Sequence, residues 1–195
     1  ADRASPDAIT FAIVPGMAPE AYRIETGSQS ATITASGHSG LFYGGVTLWQ
    51  MLTDRPSPEG RLVAPAATIA DAPRFAWRGL MLDSARHYQS PDFIKHMIDW
   101  MSVNKLNRFH WHLTDDQAWR IEILRFPRLT EIGAWRVPAS APGAPARPRT
   151  GGYYTQEQIR EIVAYARERS VEIVPEIEMP GHALAPIRAY PRLGT

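Results

Sequence analysis

From about residue 77 onward the chain alternates short apolar runs with stretches of helical period, and each apolar run closes on a cluster of polar side chains. The run Leu80–Leu82 leads into Asp83, Arg86 and His87. The run 107–113 carries His110 and His112 and leads into Asp115 and Asp116. The run 171–177 carries Glu176 and leads into Glu178 and His182. Strand–helix alternation implies parallel strands joined by right-handed crossovers. A doubly wound sheet and a barrel both satisfy that pattern. No glycine-rich phosphate loop follows the first strand. Polar residues instead recur after every strand, as they do in a β/α barrel, whose chemistry gathers at the C-terminal strand ends. The fold class is therefore read as α/β: residues 71–195 form the first part, about three strands, of a TIM (β/α)8 barrel. With so few of the strands such a barrel needs, the chain reads as an interior piece of a longer protein.

Residues 1–70 read as part of a small α+β domain preceding the barrel. ITFAIV (9–14), AYRIET (21–26) and SATITAS (30–36) are short β-rich runs separated by Gly and Pro. Thr32, Thr34 and Ser36 alternate with Ala31, Ile33 and Ala35, the pattern of a half-buried strand. LFYGGVTLWQMLTD has helical spacing, with Ser39 as its N-cap. DAPRF (71–75) reads as the linker. Beyond it, Ser90-Pro91-Asp92 marks a helix start, with Phe93, Met97, Trp100 and Met101 along one face. The proline-rich stretch 137–152 must be irregular and exposed. Thr155 and Gln158 form a capping-box pattern for a helix whose buried face is Ile159, Ile162, Val163 and Ala166.

Composition narrows the partner classes. A net charge of +1, with scattered Lys and Arg, gives no electrostatic case for nucleic acid or an anionic membrane. No apolar stretch approaches the ~20 residues of a membrane span. The absence of Cys excludes disulfides and Cys-ligated metal. ADRASPDAITF has no signal-peptide pattern; a periplasmic or secreted location is compatible, and the compartment stays unassigned.

Each cluster supports two readings. Arg78, beside Trp77, is suited to clamp sugar hydroxyls or a carboxylate, and equally to a structural ion pair at the floor or rim of a barrel. Asp83, Arg86 and His87 form either a network at the mouth or a simple Asp–Arg pair. His110 and His112 share a strand face, the spacing of a metal site that Asp115 or Asp116 would complete. Arg108 has the same parity, which opposes a divalent ion, and histidines hydrogen-bonded in the core are the commoner outcome. Asp115-Asp116 can hold a sugar, perturb each other's ionisation, or cap a turn. Glu176, Glu178 and His182 make either a chain that orients a catalytic acid or a salt-bridged rim. Trp111, Trp119, Trp135, Tyr153 and Tyr154 suit stacking on a pyranose, or an ordinary core.

The strings WRGLMLDSARHY, NRFHWHLTDDQAWRIEI and VPEIEMPGHALA, in this order and spacing, resemble the family 20 glycoside hydrolases, the β-N-acetylhexosaminidases. GLFYGGVTLWQML resembles the last helix of the small domain before the barrel in that family, so the resemblance spans nearly the whole chain. It implies removal of terminal N-acetylhexosamine from β-linked glycosides, with retention. The substrate's own acetamido oxygen attacks the anomeric carbon, one Asp orients that group, and the adjacent Glu is the acid. It implies no metal or organic cofactor, and an N-acetylhexosamine-bearing oligosaccharide or glycoconjugate as partner. On this resemblance Arg78 hydrogen-bonds the terminal sugar. Asp115 and His182 relay to the catalytic Glu. Glu178 fills an acidic position, usually Asp, near that histidine. The adjacent Asp-Glu pair is expected beyond residue 195, after a fourth strand, so residues 1–195 alone are expected to be inactive.

Overall fold

The computed structural model describes residues 8–54, 60, 62–138, 140 and 143–194. The chain divides into two compact units, Ala1–Ala76 and Trp77–Thr195.

The first unit is a four-stranded sheet carrying one helix. Strands β1 (Ala8–Ile13), β2 (Tyr22–Thr26), β3 (Ser30–Ala35) and β4 (Ala67–Asp71) lie in the order β1-β3-β2-β4. Alternation along β3 buries Ala31, Ile33 and Ala35. Helix α1 (His38–Thr53) adds Tyr43 and Leu48 to the same core. Close approach requires Gly44, since a Cβ there would come within 2.5 Å of Ile33 Cγ2. Two expectations are corrected. The N-cap of α1 is Gly37 in extended backbone, not Ser39. Asp71 ends a fourth strand instead of opening the linker: β4 pairs with β2, and the Tyr22 hydroxyl donates to Asp71 Oδ2 at 2.5 Å.

In the second unit β5 (Gly79–Asp83), β6 (Arg108–His112) and β9 (Glu172–Glu176) form a parallel sheet in that order. Helix α2 (Pro91–Val103) joins β5 to β6. Between β6 and β9 come a one-turn helix α3 (Arg128–Glu131), a two-residue hairpin β7 (Trp135–Arg136) with β8 (Thr150–Gly151), and helix α4 (Gln156–Glu168). The short helix α5 (Leu184–Ala189) follows β9. Of the irregular stretch 137–152, Ala139, Ala141 and Pro142 lie outside the described residues.

Both expected helix starts are present. Ser90 Oγ accepts from the Phe93 N–H, and Thr155 and Gln158 bond reciprocally as a capping box. The buried face of α2 is rotated from its expected position, and that of α4 departs from it only at Val163. On α2 the buried residues are Ile94, Ile98 and Met101, while Phe93 and Trp100 are exposed; on α4 they are Ile162 and Ala166, while Val163 is exposed. Phe109, Trp111 and Leu113 of the central strand fill the same core from the helix-facing side of the sheet. Leu80 and Met81, expected to be buried, are 43% and 52% exposed. They sit on β5, an edge strand in this sheet, where burial on both faces would need further neighbours.

Candidate active site

Strand alternation and parallel register build the site. With Phe109 and Trp111 turned to the helices, Arg108, His110 and His112 take the opposite face of β6. Register then aligns three rows on that face: Gly79, Arg108, Glu172; Met81, His110, Val174; and Asp83, His112, Glu176. The last row is the C-terminal one. Its three polar side chains stand together because the strands are parallel and in this register.

His112, nearly buried, lies between two carboxylates. Its Nδ1 is 3.5 Å from Asp83 Oδ1 and its Nε2 is 3.5 Å from Asp115 Oδ2. Arg86 folds back over the strand end. Its backbone N–H donates to Asp83 Oδ1 at 2.9 Å, its Nη1 donates to Asp83 Oδ2 at 2.6 Å, and its Nη2 reaches Asp115 Oδ2 at 2.6 Å. Burial alone would raise the Asp83 carboxyl. The Arg86 N–H and guanidinium and the His112 charge outweigh it and hold Asp83 below its usual range.

Asp115 is 1% exposed. Its Oδ1 accepts from the Asp116 N–H at 2.6 Å and lies 3.3 Å from Nδ1 of His182. His182 has φ +52 and is half exposed, so a turn in the left-handed region presents its ring above the strand ends. Asp116 Oδ1 accepts from the Leu184 N–H at the start of α5, which ties the two loops together. Glu178 is anchored by its own N–H, which donates to buried Thr114 Oγ1 at 2.8 Å. Its carboxyl hydrogen-bonds Glu176, and the two titrate apart: Glu178 is raised by that bond, and Glu176 is lowered by the same bond and by His112 and His110. His110 Nε2 is 2.5 Å from Glu176 Oε2.

Asp115, His182, Glu178, Asp83, Arg86, His112 and Glu176 therefore come together. Arg78 does not join them. It precedes β5, at the opposite end of the sheet, about 15 Å away at strand rise. There its backbone N–H donates to Asn107 Oδ1 at 3.0 Å and its Nε to Lys105 O at 2.7 Å. Arg86 is the arginine at the polar end. His87 is exposed. The metal set of His110, His112 and an Asp does not assemble, because His110 turns to Glu176. Among the described residues the donor groups lying within 4.8 Å of one another are His112, Glu176, Glu178 and Asp115, Asp116, His182. The second already carries the Arg86 cation on Asp115, which opposes a dication there. Trp111 and Tyr154 are fully buried and belong to the core instead of a sugar platform.

Two residues that sequence reasoning passed over hold the loops. Ser84 Oγ accepts from Trp111 Nε1 at 2.9 Å and contacts the Tyr154 hydroxyl at 3.1 Å. Arg120 is 1% exposed and donates to four carbonyls, those of Ser84, Ala85, Ala134 and Gly152, at 2.7–3.0 Å. It thus clamps the loop bearing Arg86 to the β7–β8 hairpin. Its only sequence signal is a cation among apolar residues in AWRIEI, which does not say what it meets.

Sequence and structure comparisons place this geometry in a family. Residues 75–195 match the model of the glycosyl hydrolase family 20 catalytic domain, and residues 2–72 match that of glycosyl hydrolase family 20, domain 2. The chain belongs to glycosyl hydrolase family 20. Its relatives include a beta-hexosaminidase of Porphyromonas gingivalis, 44% identical over 89% of this chain and 22% of that protein. A beta-hexosaminidase of Vibrio furnissii is also 44% identical, over 88% of this chain and 28% of that protein. A crystal structure of an exo beta-N-acetylglucosaminidase from Vibrio harveyi, in complex with N-acetylglucosamine, matches with a TM-score of 0.86 and 42% identity, over 94% of this chain and 29% of that one. The chain thus spans less than a third of the length of these relatives.

Proposed function

We propose that the protein carrying this chain is a retaining, substrate-assisted β-N-acetylhexosaminidase, removing terminal N-acetylhexosamine from β-linked oligosaccharides or glycoconjugates. In this reading β5, β6 and β9 are the first three strands of a (β/α)8 barrel, residues 71–195 belong to the catalytic domain, and residues 1–70 belong to the domain preceding it.

The observation that carries the reading is the contact between buried Asp115 and His182 at the strand ends. Asp115 Oδ1 faces Nδ1 at 3.3 Å, so the buried carboxylate favours a proton on that nitrogen and leaves Nε2 to a second partner. A carboxylic acid held there is oriented and tuned as a proton donor to the leaving oxygen, and afterwards as the base for water. The family resemblance supplies that acid as the Glu of an adjacent Asp-Glu pair, whose Asp orients the acetamido group. No adjacent Asp-Glu pair occurs in residues 1–195, so these residues contribute the relay and the sugar clamp. Arg86, with its guanidinium braced by Asp83 and Asp115, takes the part of hydrogen-bonding the sugar hydroxyls, displacing Arg78 from that role. Glu178, whose proton is directed to Glu176, is left to accept a hydrogen bond from a sugar hydroxyl.

The test follows the product anomer by NMR on the whole protein. The expected result is β-product first, on aryl 2-acetamido glycosides and not on aryl glucosides, with inhibition by an oxazoline mimic. α-product, or equal turnover of the two substrates, contradicts it.

A further inference from the structure

A cavity of about 370 Å³ opens beside Arg86, within the usual size of small-ligand sites. Its wall includes Arg86, His87, Tyr88, Arg120, Arg136 and Gly151, and among the described residues no acidic side chain lines it. The arginines differ in how their charge is met. Arg86 shares its charge with Asp83 and Asp115. Arg120 donates to four carbonyl oxygens, which satisfy its donors without cancelling its charge, and it forms no ion pair among the described residues; burial, with a smaller part from nearby Arg136, lowers its pKa to about 10. Arg136 gives one N–H to Arg86 O at 2.6 Å and forms no ion pair among the described residues.

The flanking sequence adds to this imbalance. Between Glu131 and Glu157 there is no acidic residue, and there are three arginines, Arg136, Arg147 and Arg149. Arg149 stacks on Trp135, 4.4 Å from the ring centre, at the base of the hairpin. Backbone geometry makes the wall rigid. Gly151 has φ +145, and a Cβ there would meet Ala134 O at 2.2 Å, while Gly152 lies against the Tyr88 ring. Low-dielectric walls with one sign of charge concentrate the field inside a cleft. A neutral sugar leaves that charge unmet, whereas an oxyanion matches guanidinium forks in charge and shape.

We propose that this cavity is an oxyanion-accepting subsite, taking a sulfate ester or a carboxylate borne by the saccharide whose hydroxyls Arg86 contacts. The proposal rests on the glycosidase reading for its saccharide and on the arginine geometry for its anion. It makes the enzyme one that favours acidic glycans over neutral ones.

The experiment is isothermal titration of the whole protein with N-acetylglucosamine 6-sulfate, glucuronic acid, N-acetylglucosamine and inorganic sulfate, in wild type, Arg136→Gln and Arg136→Lys. One acidic sugar should bind about tenfold more tightly than the neutral one, the size of one charge-assisted bond. That preference should largely vanish in Arg136→Gln and be partly retained in Arg136→Lys. Tighter binding of the sulfated sugar identifies a sulfate-ester subsite, and tighter binding of the uronate a carboxylate subsite. Should Arg136→Gln not fold, the guanidinium 15N resonance of Arg136 in wild type should still shift with the acidic sugar and not with the neutral one. Equal affinity for all three sugars, a preference unchanged in Arg136→Gln, or binding of inorganic sulfate only overturns the proposal. These monosaccharides carry no glycosidic bond, so the binding preference is read independently of turnover: failure to cleave aryl 2-acetamido glycosides would sink the glycosidase reading and leave the subsite standing, and loss of the preference would do the reverse.

Discussion

Asp83 ends β5 and Glu178 follows β9, on either side of the central strand β6, and their protonation responds oppositely to their surroundings. Asp83 is bonded to a cation and stays ionised to lower pH than usual; Glu178 is bonded to another carboxyl and keeps its proton to higher pH. The linkage signs follow. A depressed folded pKa contributes stability above the ordinary Asp range, and that contribution is lost as pH falls through the folded value. A raised one contributes stability below the ordinary Glu range, and that contribution is lost as pH rises through its folded value. Chemical denaturation as a function of pH should therefore show Asp83→Asn removing part of the acid-side loss. Glu178→Gln should remove part of the loss on the side above the ordinary Glu range. Parallel curves for wild type and both variants would contradict these environments. Much of the polar cluster was legible at this scale, because Asp115, Glu178 and His182 follow apolar runs that could only be strands. Arg78 and Arg86 show what was not. They flank the same five-residue strand, and residue type alone does not say which end faces the chemistry. Position relative to the strand's direction does, and it selects Arg86.

Elements were legible where the signal is local. Ser90-Pro91-Asp92 and the Thr155/Gln158 box each close their hydrogen bonds within one turn, so no distant residue can alter them. Thr155→Ala should lower stability by about 1 kcal/mol in urea melts, the usual worth of an N-cap; no change would mean that α4 is held wholly by packing. Where the signal is tertiary, sequence reading slipped. ATIAD (67–71) is too short and too poor in large apolar residues to announce a strand, and becomes one through its ladder to Tyr22–Thr26, more than forty residues away. The buried face of α2 is rotated by about one residue, and α4 turns only Val163 outward, because the core-facing side chains Phe109, Trp111 and Leu113 decide which helical stripe is covered. Ile162→Ala should accordingly cost about 2–5 kcal/mol, as large-to-small changes in a packed core do. Val163→Ala, on the exposed side, should cost under about 1 kcal/mol.

At the scale of the whole molecule, this chain brings Asp115, His182 and Arg86 to one end of three parallel strands but contains no adjacent Asp-Glu pair. Residues 1–195 alone should show no turnover of an aryl N-acetylglucosaminide in a fluorescence assay; turnover that disappears in His182→Ala would reveal an acid among the residues described here. The barrel reading was legible because polar clusters recurred after every apolar run, a property of strand order and direction that survives in a partial chain.

The most direct test of the account is the split between kcat and KM for His182→Ala in the whole protein on an aryl N-acetylglucosaminide. In the proposed relay His182 lies against Asp115 and acts through a proton donor instead of touching the sugar, so kcat should fall by about 10²-fold or more, within the range of positioned acid–base groups, while KM changes little. An unchanged kcat, or a loss confined to KM, would contradict the relay.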